Sequence, residues 1–107
     1  MKYIMLQNAE GAKLPIMFSE KLVHAHVAKY MLDLARLSFG QRHEVVTAGF
    51  VSFTPDGVAT HGDSESLNLK SSPIDGLRMW LGEAVSHMPD EALPGLYQKY
   101  QERMKNV

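Results

Sequence analysis

Two short apolar runs open the chain, and a short apolar run bounded by polar and turn-forming residues is typical of a β-strand. Residues 2–7 and 13–18 carry this pattern, and the run from Asn8 to Gly11 between them is rich in turn-forming residues. Together they predict a β-hairpin. Pro15 removes a backbone donor from the second strand, which favours a position at the edge of the sheet.

A second pair of strands follows later in the chain. Residues 43–53 are rich in Val, Thr and Phe, and both faces of this strand are largely apolar, which favours the interior of a sheet. The turn from Thr54 to Gly57 leads into residues 58–61, so a second hairpin is predicted. Gly62 marks a bend, after which residues 64–69 are expected to continue the pairing.

Between the two hairpins, apolar residues recur at the spacing of an amphipathic helix. Ser19 is the predicted N-cap of this helix, which continues to about Leu37. At 100° per residue its apolar side chains fall within one arc of roughly 100°, and its charged side chains lie on the opposite side. The arc consists of Val23, Val27, Tyr30, Met31 and Leu34.

Two more helices are predicted in the last third of the chain. Ser72 is the predicted cap of the second helix, Pro73 occupies its first position, and Pro89 ends it. A short third helix is expected in residues 94–104, where the apolar side chains with helical spacing are Tyr97, Tyr100 and Met104.

The resulting order of elements is β-β-α-β-β-α-α. A chain of 107 residues has the length of one domain and buries roughly two-thirds of its unfolded surface. We therefore expect a single α+β domain over residues 1–107. It should have two layers, an antiparallel sheet of about four strands with helices on one face, and a helical C-terminal tail at about residues 89–107.

Composition excludes several classes of protein. The absence of cysteine rules out a disulfide scaffold, a thiolate nucleophile and a cysteine-ligated zinc. The N-terminal residues lack the pattern of a signal peptide, and no stretch approaches the ~20 apolar residues of a membrane span. We expect a cytoplasmic protein without membrane contact. A net charge of −1 argues against a dedicated nucleic-acid binder.

Acidic residues are concentrated in residues 54–76, which contain four carboxylates and one lysine. Such a hairpin would attract a protein partner that has a basic groove, although the acids could equally serve only to keep the sheet edge soluble. Three aromatic residues lie away from the main apolar stripes, which indicates a partner contact and a homodimer with a helical interface. The predicted partner-binding residues are Asp56, Asp63, Glu65, Trp80, Tyr97 and Tyr100.

No catalytic residue, metal or cofactor is predicted. His61, Asp63 and Glu65 share one face of a strand, but the outer two would be about 13 Å apart, so only adjacent members could chelate an ion. A metal-dependent enzyme centred on His61 and Asp63 remains the first alternative. A weak nucleic-acid-binding regulator that uses the basic face of the first helix is the second.

Two segments resemble small uncharacterised proteins encoded in bacterial phages and prophages. They are Val45 to Val51 and Gly62 to Pro73, and the resemblance extends over residues 1–75. It implies an accessory protein that acts inside a bacterial cell and binds a host or phage protein. On this basis we expect a non-enzymatic protein-binding factor, for example an inhibitor of a host defence or regulatory complex.

Overall fold

The computed structural model describes residues 1–105, apart from the side chain of Met104. The predicted apolar position at Met104 and the last two residues of the predicted tail therefore lie outside what is described. Four strands form one antiparallel sheet in the order β2-β1-β3-β4, which confirms the α+β class and the predicted sheet. The strands are β1 (Lys2–Asn8), β2 (Lys13–Phe18), β3 (His43–Thr54) and β4 (Gly57–His61).

The two hairpins turn at glycines, as their turn sequences predict. Gly11 has a φ of 86° and Gly57 a φ of 144°, which are conformations that side-chain-bearing residues rarely adopt. Strands β1 and β3 occupy the interior of the sheet, and β2, which contains Pro15, lies at its edge. The amide of Lys13 donates to the carbonyl of Ser86 at 2.9 Å, so part of this edge is covered.

Three α-helices, a small second sheet and two 3-10 turns complete the described part of the chain. The helices are α1 (His24–Phe39), α2 (Pro73–Leu81) and α3 (Leu93–Lys105); the small sheet consists of β5 (Asp63–Ser64) and β6 (Leu69–Lys70); the 3-10 turns are Glu83–Val85 and Asp90–Ala92. No helix in residues 1–105 is both long and apolar enough to cross a membrane.

Helix α1 begins five residues later than its predicted cap. The side chain of Ser19 accepts a hydrogen bond from the amide of Lys21, and its carbonyl accepts one from the amide of Leu22. These bonds form a separate turn, so the helix starts only at His24. Its last residue is Phe39, and Gly40 after it adopts the left-handed conformation typical of a helix C-terminus.

Helix α2 opens at Pro73 as predicted but ends well before Pro89. Gly82 follows its last residue with a φ of 83°, a conformation that does not continue a helix. The apolar stripe continues across this break, because the 3-10 turn Glu83–Val85 keeps Val85 buried. Periodicity alone therefore predicted one long helix where the chain forms two short pieces.

The helices cover opposite faces of the sheet, which differs from the predicted placement of helices on one face. Ala28 of α1 packs in a cluster with Ile4, Leu6 and Ala48. Met79 of α2 packs against the other face, on a cluster formed by Tyr3, Met5 and Val51. The physical reason is that β1 and β3 are apolar on both faces, and each face needs its own cover.

The pairing of β1 with β3 contains a bulge in β3, because Met5 pairs with Thr47 and Leu6 with Val45, so Val46 has no partner. The bulge places Val45 with Ala48 on the face covered by α1, whereas Val46 packs with the cluster under α2. A bulge changes the face of every residue beyond it, and the apolar pattern carries no mark of its position.

Two buried polar groups hold α2 in place. The hydroxyls of Tyr3 and Thr47 both donate to the carboxylate of Asp75, at 2.7 and 2.5 Å. The Tyr3 hydroxyl also accepts from the amide of Ser72 at 3.3 Å. Burial, and then the neighbouring Asp75 carboxylate, raise the pKa of Tyr3 well above its ordinary value, so this hydroxyl stays protonated and donates.

The second buried group is the guanidinium of Arg78. It donates to the carbonyls of Val85 and Met88 and to the carboxylate of Asp90, the last at 2.7 Å. Lys13 binds the same carboxylate at 3.1 Å. Burial by itself would raise the pKa of Asp90, but the bonds from Arg78 and Lys13 outweigh it and hold that pKa below its ordinary value.

Candidate binding site at the start of helix α1

The acidic residues of segment 54–76 do not form one surface. Asp56 lies in the turn between β3 and β4, whereas Asp63 and Glu65 follow the far end of β4. A strand of five residues separates the two positions by about 17 Å. Asp75 belongs to α2 and is buried between this helix and the sheet. The predicted acidic hairpin is therefore reduced to the pair Asp63 and Glu65, both of which are exposed.

The predicted aromatic contacts are also divided. Trp80 and Tyr100 are 44% and 43% exposed, so both present an aromatic surface to solvent. Tyr97 instead donates its hydroxyl to the carbonyl of Asp56 at 2.9 Å and thereby fastens α3 to the hairpin turn. Beside Tyr100, a shallow cavity of about 260 Å³ lies between α3 and the end of α2.

Asp63 and Glu65 line an open cavity of about 570 Å³ at the start of α1. Its walls come from four places that are distant in sequence: the beginning of β1, the first residue of α1, the middle of β3, and the loop that includes β5. Besides these two carboxylates, Lys2, His24, Phe50 and Ser66 line the cavity.

His24 forms the floor of this cavity and is only 4% exposed. Its Nε2 lies 2.9 Å from the carbonyl of Gly49, and since a carbonyl only accepts, Nε2 donates. In the neutral ring Nδ1 is then the acceptor. The ring packs edge-on against Phe18 at 5.4 Å and against Phe50 at 5.8 Å, measured between ring centroids, which fixes its orientation.

Phe50 forms the apolar wall of the cavity and contacts two further groups. His61 stacks on it with a centroid distance of 5.9 Å and an interplanar angle of 27°. The ammonium of Lys2 lies 6.0 Å from the centroid of the ring and donates to the carbonyl of Leu22 at 2.8 Å. A cation of the protein's own thus already lies near the face of Phe50.

Ser66 closes the cavity where α1 begins. Its hydroxyl accepts a hydrogen bond from the amide of Ala25 at 3.1 Å and so satisfies one free amide in the first turn of the helix. Val23, the residue at the cap position, makes no side-chain bond to the helix. The cap therefore comes from a loop 41 residues away, which local sequence signals cannot reveal.

The charged side chains of the cavity suit recognition of a cation. Two exposed carboxylates and one ammonium line the cavity, so negative groups outnumber the lysine. Within residues 1–105, no group of three or more His, Asp or Glu side chains is placed to hold a metal. In the same residues, no hydrogen bond connects Ser64 or Ser66 with a histidine.

Sequence reasoning found the two carboxylates but missed the rest of the site. The local excess of acidic residues was a usable signal, and it pointed to Asp63 and Glu65. No local signal in the sequence connects His24 or Phe50 with these carboxylates. Their convergence depends on how α1 crosses the sheet, which no periodicity encodes.

No protein-family model, curated protein or solved structure matches this chain.

Proposed function

We propose that this protein is a non-enzymatic binding factor that receives a cationic side chain of a protein partner in the cavity at the start of α1. The observation that carries the proposal is the position of Asp63 and Glu65 at the edge of a cavity whose wall is Phe50. Carboxylates attract lysine and arginine, and the apolar surface of Phe50 that lines the cavity can pack against the aliphatic part of either side chain.

Arginine fits this combination better than lysine. Its planar guanidinium carries several nitrogens that can donate to two carboxylates at once, whereas an ammonium acts as a compact point charge. Lys2 makes a hydrogen bond to the carbonyl of Leu22 rather than to Asp63 or Glu65. Both carboxylates can therefore accept bonds from a partner.

The basic face of α1 gives less support to a nucleic-acid interface. Lys29 and Arg36 both pair with Asp33, at 3.0 and 3.7 Å. These pairs reduce the positive charge that the helix can offer to phosphates. A basic protein partner is therefore a better match for this molecule than a nucleic acid.

The resemblance to phage and prophage proteins gives the proposal its biological setting. A phage accessory protein that binds a basic surface could inhibit a host complex that itself contacts nucleic acid, since such complexes present arginine-rich grooves. We expect the partner to be a host or phage protein within a bacterial cytoplasm.

A short arginine peptide provides a direct test. Tri-arginine, blocked at both ends, is titrated into the ¹⁵N-labelled protein and the amide signals are followed by NMR. We expect saturable shifts confined to the cavity, at Ala25, Phe50 and Ser66. A variant with Asp63→Asn and Glu65→Asn should lose them, and the matched control Asp56→Asn should keep them.

The same titration can overturn the proposal. Shifts that persist unchanged in the double variant would show that these carboxylates do not bind the cation. Shifts spread along the acidic residues of the whole surface would show unspecific attraction instead of a site.

A further inference from the structure

The cavity beside Tyr100, of about 260 Å³, has walls from α3, from the end of α2 and from the 3-10 turn Glu83–Val85. Its lining is mainly apolar and includes Ala84, Val85 and Leu96. Two cations, Lys99 and Arg103, complete the lining, and none of the described residues that line it is acidic. The cavity therefore combines an apolar surface with positive charge, whereas negative groups predominate in the cavity at the start of α1.

Both cations lie on the side of α3 that faces this cavity. With about 100° of rotation per residue, Lys99, Tyr100 and Arg103 all fall within about 60° of Leu96 around the helix. Lys105 lies on the opposite side, about 180° from Leu96. The cations and the apolar side chains of α3 thus share one face, and one ligand can contact both.

The described residues leave both cations without an acidic partner. Within residues 1–105, neither Lys99 nor Arg103 forms an ion pair. Glu83, the acidic residue of the adjoining 3-10 turn, lines a different pocket. Like charges four residues apart in a helix repel each other, so an anion between them removes an unfavourable interaction. The charges at this site therefore favour an anionic ligand.

The walls of the cavity are held in place by contacts within the protein. On one side, the carbonyl of Val85 accepts a hydrogen bond from the buried Arg78 at 2.8 Å. On the other side, Leu93 at the start of α3 is fully buried, and the Tyr97 hydroxyl donates to the carbonyl of Asp56. A ligand that enters walls already fixed in this way does not have to order them, which favours its binding.

We propose that this cavity binds a small carboxylic acid with an aliphatic body, of about the size of hexanoic acid. The carboxylate pairs with Lys99 and Arg103, and the aliphatic body displaces water from Val85 and Leu96. A volume of about 260 Å³ is just below the usual range of about 300–1,000 Å³ for ligand sites, which favours a short chain. The site is independent of the proposed function, because α1 and α2 cover opposite faces of the sheet.

Three probes separate the contribution of charge from that of apolar surface. Hexanoate carries both, acetate carries only the charge, and hexanol carries only the apolar body. Each is titrated into the ¹⁵N-labelled protein, and the amide signals are followed by NMR. We expect hexanoate to give saturable shifts at Ala84, Val85 and Leu96, with half-saturation at about 1–5 mM. Acetate and hexanol should each bind at least about tenfold more weakly.

Three variants locate the binding. Lys99→Gln with Arg103→Gln removes both cations and should weaken hexanoate binding to the level of hexanol. The matched control is Arg42→Gln with Lys105→Gln, which removes two exposed cations away from the cavity and should leave binding unchanged. Ala84→Trp fills the cavity while it keeps both cations, and it should abolish the saturable shifts. Thermal melts establish that each variant is folded.

Several outcomes would overturn the proposal. One is the lack of saturable shifts at hexanoate concentrations tenfold above the expected half-saturation. Another is equal binding of acetate, which would show ion pairing at exposed cations without use of the cavity. Unchanged binding in the Lys99→Gln and Arg103→Gln variant would likewise contradict it. If the cavity signals shift when the protein alone is concentrated, a second copy occupies the cavity and the proposal is wrong.

Discussion

At the scale of single residues, the stability of this small domain depends on polar groups that helix α2 carries into the interior. Asp75 and Arg78 are both almost completely buried, and each finds its partners on other elements. A buried charge without partners is strongly unfavourable, so the side chains that satisfy these two groups should be as important as the apolar core.

Tyr3→Phe should lower the free energy of unfolding by about 1.5–3 kcal/mol, the usual value of a hydrogen bond to a charged group. The substitution removes the donor to Asp75 and the acceptor for the amide of Ser72 without removing the ring. Urea unfolding measures the effect. Tyr100→Phe, which removes a partly exposed hydroxyl, is the control and should change stability by less than about 0.5 kcal/mol.

Asp90→Ala should lower the free energy of unfolding by about 1.5–3 kcal/mol near neutral pH, the usual value of a hydrogen bond to a charged group, because it removes the partly exposed carboxylate that pairs with the buried Arg78. The depressed pKa of Asp90 means that its contribution is present above the unfolded pKa and is lost as pH falls through the lower folded value. The difference between wild type and variant should therefore be constant at neutral pH and shrink below about pH 4.

Urea unfolding at a series of pH values measures this difference, with the exposed neighbour Glu91→Ala as the control. A difference that grows as the solution is acidified would contradict the assigned role of the carboxylate.

At the scale of elements, the hairpins were predictable because their signals are local, and several boundaries were not. Turn residues with Gly11 and Gly57 at fixed positions identify both hairpins from the sequence. The start of α1 depends on bonds at Ser19 and on a cap from Ser66, and the second of these is a tertiary contact. The division of the helices between two faces depends likewise on packing, since an apolar stripe shows that a helix is buried but not against which face.

Two helical glycines should respond oppositely to the same substitution. A Cβ on Gly76 would lie 2.4 Å from the carbonyl oxygen of Val58, because α2 approaches β4 closely at this point. Gly76→Ala should therefore destabilise the protein although alanine favours helices. Gly95 has no atom within 4 Å of such a Cβ, and Gly95→Ala should stabilise it by about 0.5–1 kcal/mol.

Thermal unfolding of the two variants measures these effects side by side. A stabilised Gly76→Ala would show that α2 does not pack on β4 as closely as described.

At the scale of the whole molecule, the sheet offers little opportunity for strand addition. Pro15 and the bond from Lys13 to Ser86 occupy one edge. On the other edge, Thr60 of β4 donates to the carbonyl of Ser72, just before α2. Strand addition by a partner is thus disfavoured, which directs attention to side-chain surfaces such as the cavity at the start of α1.

Only part of the cavity at the start of α1 is predictable from the sequence. The acidic pair was recognisable from local charge, because Asp63 and Glu65 belong to one short segment. Asp56 belongs to the same acidic segment, but the length of β4 separates it from them. Lys2, His24 and Phe50 come from three elements, and only the packed structure shows that they share one cavity.

Asp63 and Glu65 line the cavity, whereas Asp56 lies in a distant turn. Partner binding can therefore be compared between variants at these two positions. Wild type, Asp63→Lys with Glu65→Lys, and Asp56→Lys are each immobilised and exposed to bacterial lysate at low salt. Captured proteins are quantified by mass spectrometry, after thermal melts have shown that all three baits are folded. Both variants reverse charge on exposed surface, at two carboxylates in the double variant and at one carboxylate in Asp56→Lys.

If the cavity binds the partner, wild type and Asp56→Lys should capture the same basic proteins, and the double variant should lose them at least about tenfold, the equivalent of 1.4 kcal/mol. Salt at about 1 M, where the Debye length is about 3 Å, should release them from the first two baits. Equal capture by the double variant, or no protein specific to wild type, would contradict the account.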